Sequence, residues 1–207
     1  MIERSQILGA IIAGGLATRM GGVNKPLMMV GREPLIVHTF ERLTPQVGAT
    51  IVNANRNLDG IAATLPTNTA IVKDDADFTG RGPLIGLLAC MSKAQAMNLP
   101  FIATAAADTP FFPKDLVDQL RAPTGEETIR VARHDGYRHP LFALWPTALG
   151  GALEAFLRKG ETNKVMAFAQ HHALIEVDIE ASGDPFFNVN DQQDLQQANQ
   201  MLQELQA

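Results

Sequence analysis

Six short segments bring together residue types that handle phosphates, bases and hard cations. The first, AGGLATRMGGVNKP at residues 13–26, sets Gly14, Gly15, Gly21 and Gly22 beside Arg19 and Lys25. Glycine has no Cβ to hold a ligand off, so backbone N–H groups can approach phosphate oxygens while the two cations add charge. The spacing fits neither GxGxxG nor GxxxxGK[ST], which excludes those two phosphate-loop readings. The plain alternative for four glycines is a surface loop.

The other five segments carry amides, carboxylates and a histidine. Asn53 stands in VNANR at 52–56, and its side-chain amide offers both donor and acceptor to a base edge. Asp74 stands in VKDD at 72–75, ahead of GPLIG at 82–86, with Asp75 and Asp77 leaving its register open. Asp108, in AADTPF at 106–111, ends an apolar run and suits Mg²⁺, which favours oxygen and commonly takes one or two carboxylates plus phosphates and water. DGYRHP at 135–140 offers Arg138 for a phosphate and His139 as a hydrogen-bond donor, although Asp135 and Gly136 are equally a hairpin turn. DPFFNVN at 184–190 places Asn188 and Asn190 two apart, so an extended backbone projects both to one face. Asn190 is also a candidate cap for the helix after it.

These residues need a scaffold that brings distant segments to one edge. Continuous apolar runs at 7–12, 49–54, 69–72 and 101–106 suit strands buried on both faces. They alternate with helical patterns near 34–43, 83–96 and 113–120, where Pro34, Pro83 and Pro113 fit first helical turns. The alternation predicts a Rossmann-like, doubly wound α/β fold with a mostly parallel sheet, whose ligand loops lie at the carboxyl ends of the strands. Beyond about residue 122, strands at 128–133 and 140–145 predict a partly antiparallel addition, followed by helices near 149–157 and 191–205. In the last of these, Leu195, Ala198, Leu202 and Leu205 form an apolar stripe opposite glutamines. One domain over 1–207 is the simplest organisation, with a nucleotide-binding half at about 1–122 and an acceptor-binding half at about 123–207.

Composition narrows the classes. With 46% hydrophobic residues the chain can bury a full core, and a net charge of −5 argues against general nucleic-acid binding. The charge is unevenly spread. Residues 1–32 hold Arg4, Arg19, Lys25 and Arg32 against Glu3, whereas 176–207 hold seven carboxylates and no Lys or Arg, so a polyanion is drawn to the first region. No apolar run approaches the ~18 residues of a membrane span, and the start lacks the pattern of a secretory signal. The single cysteine, Cys90, lies in an apolar helical stretch, which fits a buried thiol in a reducing cytoplasm. The adjacent His171 and His172 lack metal-ligand spacing and read as surface or packing residues.

Taken together, the AGGxxxRMGGxxK loop, Asn53, Asp74, the DTP of Asp108, DGxxHP and FxNxN resemble a nucleotidyltransferase family, most closely its molybdenum cofactor guanylyltransferases, over nearly the whole chain. The resemblance implies that Ile12, Ala13, Gly14 and Gly15 hold the GTP phosphates and border the guanine, with Arg19 and Lys25 near the phosphates. It implies that Asn53 helps to recognise guanine, that Asp74 lies near the nucleoside, and that Asp108 binds Mg²⁺. Arg138, His139, Asn188 and Asn190 fall on the acceptor side. The implied reaction moves GMP from MgGTP to the terminal phosphate of molybdenum-bound molybdopterin and releases pyrophosphate. Molybdenum cofactor carriers or molybdoenzyme-specific chaperones are the implied protein partners. Transfer from CTP to molybdopterin, transfer from an NTP to a sugar phosphate, and a non-catalytic nucleotide-binding regulator remain open alternatives. Asn24 stands where the family's loop is commonly acidic, and 78–81 blur the alignment around Asp74.

Overall fold

The run Ile7–Ile12 forms a strand, β1, that is buried at every residue, as expected for a strand covered on both faces. The computed structural model describes residues 2–13, 24–78, 82–122, 125, 127–160 and 162–206. After β1 come the two-residue strands β2 (Met29–Val30) and β3 (Glu33–Pro34), α1 (Leu35–Leu43), β4 (Ala49–Asn53), α2 (Leu58–Thr64), β5 (Ala70–Val72) and α3 (Pro83–Ala96). The chain continues with β6 (Phe101–Ala106), α4 (Leu116–Arg121), β7 (Ile129–His134), β8 (Tyr137–Pro146), α5 (Gly150–Lys159), α6 (Val165–Ala169), β9 (Leu174–Asp178) and α7 (Gln192–Gln206).

Seven strands form one sheet in the order β5-β4-β1-β6-β8-β7-β9, and β2 pairs with β3 apart from it. The strands β5, β4, β1 and β6 run parallel, β8 is antiparallel to both β6 and β7, and β9 returns parallel to β7. The expected doubly wound fold with an antiparallel addition is therefore present. Within β1, Ile7 and Ile11 join a core with Ile36, Ile61 and Leu116 of α1, α2 and α4, while Leu8 and Ala10 join Leu84, Leu87 and Leu153 of α3 and α5. The period of two thus sorts one buried strand between two helical layers. Cys90 lies inside the second layer, and its burial pushes the thiol well above its ordinary value.

Some boundaries differ from expectation for local reasons. Pro83 occupies the first turn of α3, but Pro34 ends β3 as the N-cap of α1, and Pro113 precedes α4, its carbonyl accepting the Leu116 N–H at 3.2 Å. The Asp135-Gly136 hairpin has φ of 48° and 80°, the two left-handed positions of a two-residue turn. In α7, Ala198 is buried against Met28, Val30 and Leu35, whereas Leu205 is exposed and falls outside the packed stripe. Asn190 does not cap this helix. Asp191 does, its Oδ1 accepting the Gln193 and Asp194 N–H groups at 2.8 and 2.9 Å, while Asp194 reaches back to the Asn190 N–H at 2.6 Å.

Candidate active site

The parallel strands place β1 between β4 and β6, so successive connections leave β1 in opposite directions and open a crevice at the carboxyl ends of these strands. Backbone bonds draw the strand ends together. The Ala13 N–H donates to the Asn53 carbonyl at 2.8 Å, and the Ala107 N–H donates to the Ile12 carbonyl at 3.1 Å. Ile12 and Ala13 therefore lie between Asn53 and the turn that carries Asp108.

At the β1/β6 side, four side chains from three distant parts of the chain converge. Lys25 Nζ lies 2.5 Å from Asp108 Oδ2, 2.8 Å from Asn190 Oδ1 and 3.2 Å from Asn188 Oδ1. Capping by Asp191 leaves the Asn190 side chain free for this contact. The Val189 N–H donates to the Asp108 carbonyl at 2.9 Å, which ties the Asn-Val-Asn segment to the turn after β6. Asn188 and Asn190 do address one point, as their spacing requires. Lys25 itself opens a short 3₁₀ turn, Lys25–Leu27, in which the Asn24 carbonyl accepts the Leu27 N–H at 2.9 Å.

At the β4 side, Asn53 is buried and donates to the Val72 carbonyl at 3.2 Å and to Asp74 Oδ1 at 2.8 Å. Its Oδ1 faces Gly86 of α3 so closely that a Cβ there would lie 2.3 Å away, so this position must be glycine. Asn55 completes the frame: its Nδ2 donates to Asp74 Oδ2 at 2.7 Å, and its Oδ1 accepts the Asp74 N–H at 2.8 Å. Of the neighbouring carboxylates, Asp74 is thus the one fixed against Asn53, while Asp75 Oδ1 accepts the Asp77 N–H at 3.0 Å. Reading Asn53 alone missed Asn55, although both stand in the same VNANR segment.

The third group is the β7–β8 hairpin. Arg138 pairs with Glu176 of β9 at 2.7 Å, and the His139 ring stacks on Phe186 with centroids 4.0 Å apart and planes 20° apart. Burial pushes the His139 imidazole below its ordinary value, with Asp184 opposing and His134 adding to that shift. Phe186 opens the FxNxN segment, but an aromatic there reads as core and gives no signal of a role of its own in the site. It is core, packing 4.9 Å from Phe142, yet it also carries the His139 face. Gly14, Gly15 and Arg19 lie outside the described residues. Among the described residues no cluster of three or more His, Cys, Asp or Glu could hold a metal, and no helix is long and apolar enough to cross a membrane.

A lysine, a carboxylate and two amide oxygens brought together beside the switch point of a doubly wound sheet fit a nucleotidyltransferase. The chain matches the MobA-like NTP transferase domain family over residues 9–174. It is 37% identical to a molybdenum cofactor guanylyltransferase of Mesorhizobium japonicum, covering 98% of this chain and 99% of that protein. It is 40% identical to one of Pasteurella multocida, over 90% and 95% of the two chains. Its fold is similar to that of the molybdopterin-guanine dinucleotide biosynthesis protein A of Archaeoglobus fulgidus, with a TM-score of 0.74 and 20% identity over 95% and 99% of the chains. The chain therefore belongs to the molybdenum cofactor guanylyltransferases.

Proposed function

We propose that the protein transfers GMP from MgGTP to the terminal phosphate of molybdenum-bound molybdopterin, forming the guanine dinucleotide cofactor and pyrophosphate. The observation that carries this reading is the convergence of Lys25, Asp108, Asn188 and Asn190 beside Ile12 and Ala13. Three oxygens already surround one cation, the Lys25 ammonium, so the donor set fits a hard metal that takes oxygen ligands. Asp108 would hold Mg²⁺, with Asn188 and Asn190 beside it. When bound, the ion supplies charge neutralisation of the phosphate oxygens.

A phosphate oxygen of the acceptor attacks the α-phosphorus of GTP, the bond from that phosphorus to the bridging oxygen breaks, and pyrophosphate leaves with the electron pair. The attacking oxygen is already anionic near neutral pH, since a phosphate monoester loses its second proton near pH ~6. No general base is required. The side chains must align two polyanions and offset their repulsion. Lys25 does so by exchanging the Asp108 and asparagine oxygens for phosphate oxygens, together with the 13–25 loop and its Arg19.

Asp74 is the nucleoside-facing acceptor. Each of its oxygens receives one asparagine N–H, and a carboxylate has about four lone-pair sites, so it can accept more. Guanine presents adjacent N1–H and N2–H₂ donors, whereas cytosine presents an acceptor at N3. Asn53, with its amide hydrogens committed, serves guanine by holding Asp74. In this reading residues 1–122 hold the nucleotide, and 123–207 supply the acceptor side and the two asparagines.

The test is a comparison of GTP, ATP, CTP and UTP with the molybdopterin acceptor, reading both pyrophosphate and dinucleotide product. Guanine dinucleotide from GTP alone is expected. Product from CTP instead would reassign the base, and GTP binding without pyrophosphate release would make the protein a regulator.

A further inference from the structure

His134 ends β7 just before the hairpin, and both of its ring nitrogens face carbonyl oxygens. Nδ1 lies 3.0 Å from the Ile179 carbonyl and Nε2 lies 3.3 Å from the Gly183 carbonyl. A carbonyl only accepts, and a neutral imidazole has a single N–H. One of these contacts would then set a nitrogen lone pair against an oxygen lone pair; only the doubly protonated ring donates to both.

The segment held by this ring leads directly into the acceptor side of the site. Ile179 is anchored to β7 through its N–H on the Arg133 carbonyl at 2.8 Å, and Glu180 is anchored to Gln119 at 2.8 Å. Among the described residues, the next backbone tie to the body of the protein is the Val189 N–H on Asp108. Between these points the chain carries Phe186 and Asn188, and the Gly183 carbonyl on His134 fastens the middle of the span. Phe186 has His139 stacked on it and His134 edge-on at 6.1 Å.

We propose that His134 is a positioning residue for the acceptor, an imidazolium clasp that sets residues 179–188, and with them the His139–Phe186 face, only while its ring carries two protons. The role rests on the hairpin side of the site being where the acceptor binds. The titratable groups facing the ring fit it: Asp135 lies 3.7 Å from Nε2 and Asp184 adds a second negative charge, while the charge on His134 falls on its neighbour and lowers His139. Arg133 on the same strand is neutralised by Asp178 at 2.6 Å. Desolvation lowers the affinity of His134 for its proton, but the two carbonyls and the two aspartates outweigh it and leave the ring above its ordinary value. A folded value above the unfolded one means that the clasp is fully formed below the free-histidine range and is lost as pH rises through the folded value. His139, the stacking partner, is pushed the other way by burial.

Two readouts test the clasp. In the full-length protein, ¹⁵N NMR of the histidine rings should show two N–H groups on His134 below the free-histidine range, with deprotonation at a pH above the value of free histidine. In the transfer assay, the acceptor KM of the wild type should rise about tenfold through that deprotonation, with the GTP KM unchanged. In His134→Gln the acceptor KM should be raised and flat with pH, and His134→Lys, a permanent cation, should restore part of the low-pH value. Deprotonation of His134 at or below the free-histidine value, or a His134→Gln profile that tracks the wild type, overturns the proposal. NMR on the wild type decides the clasp even if a variant fails to fold or no transfer to molybdopterin occurs, which separates its failure from that of the acceptor reading.

Discussion

The phosphate end of the site and the β7–β8 hairpin are built on opposite plans. At the phosphate end, Lys25, Asp108, Asn188 and Asn190 come from three segments far apart in the chain and meet at one ammonium, partly shielded from water. At the hairpin, Arg138 and His139 are consecutive, and successive strand residues leave on opposite faces. His139 goes to Phe186 and Arg138 goes to Glu176 on β9. Convergence makes a site in which each part depends on the others, whereas the hairpin offers two separable contacts. Losses at the first should be large and shared, and losses at the second small and independent.

The largest effect is expected from Asp108→Ala. Removing the single carboxylate should lower kcat on the order of 10²–10³-fold, the scale of one preorganised electrostatic group, and Lys25→Ala should fall in the same range. Because the two groups serve the same phosphates, the double variant should lose less than the sum of the single losses. Purified variants with native circular dichroism, assayed for pyrophosphate release, give the answer; additive losses would mean that the two groups act independently. Next comes Asp74→Asn. It replaces one oxygen acceptor by a donor and disrupts the frame with Asn53 and Asn55. A bidentate base contact is worth ~1–3 kcal/mol of discrimination, so the preference for GTP over CTP should drop roughly ten- to a hundredfold while pyrophosphate release persists. An unchanged ratio would remove Asp74 from base recognition.

Local sequence signals mark the strand ends that bring the convergent end together, although its residues lie far apart in the chain. Apolar runs closed by glycine, asparagine or aspartate mark the carboxyl ends of β1, β4 and β6, and the doubly wound fold brings those ends together. The i, i+2 spacing of Asn188 and Asn190 gave their shared direction. Sequence reasoning misplaces the cap of α7 because Asn190 and Asp191 are both good caps, and the competing demand of Lys25 on Asn190 is a tertiary fact. The short elements are invisible for a related reason. β2, β3, α2, α6 and β9 have little periodicity of their own, and β9 exists because β7 offers it an edge. His134, just past the strand expected at 128–133, likewise gives no signal until the carbonyls of Ile179 and Gly183 are placed on its two nitrogens.

The smallest effect should come from Arg138, and it is the one that separates the two plans most directly. Its guanidinium is half exposed and already paired with Glu176, so a phosphate must compete with that carboxylate to use it. Arg138→Ala should raise the acceptor KM roughly two- to fivefold, the scale of an exposed ion pair, and leave the GTP KM alone. Glu176→Gln removes the competitor without removing the guanidinium and should lower the acceptor KM. Opposite signs in these two variants, read in one acceptor titration, would assign Arg138 to the acceptor phosphate. If both variants raised KM together, the pair would instead be a fastening between β8 and β9, and acceptor contact at the hairpin would rest on the His139 face alone.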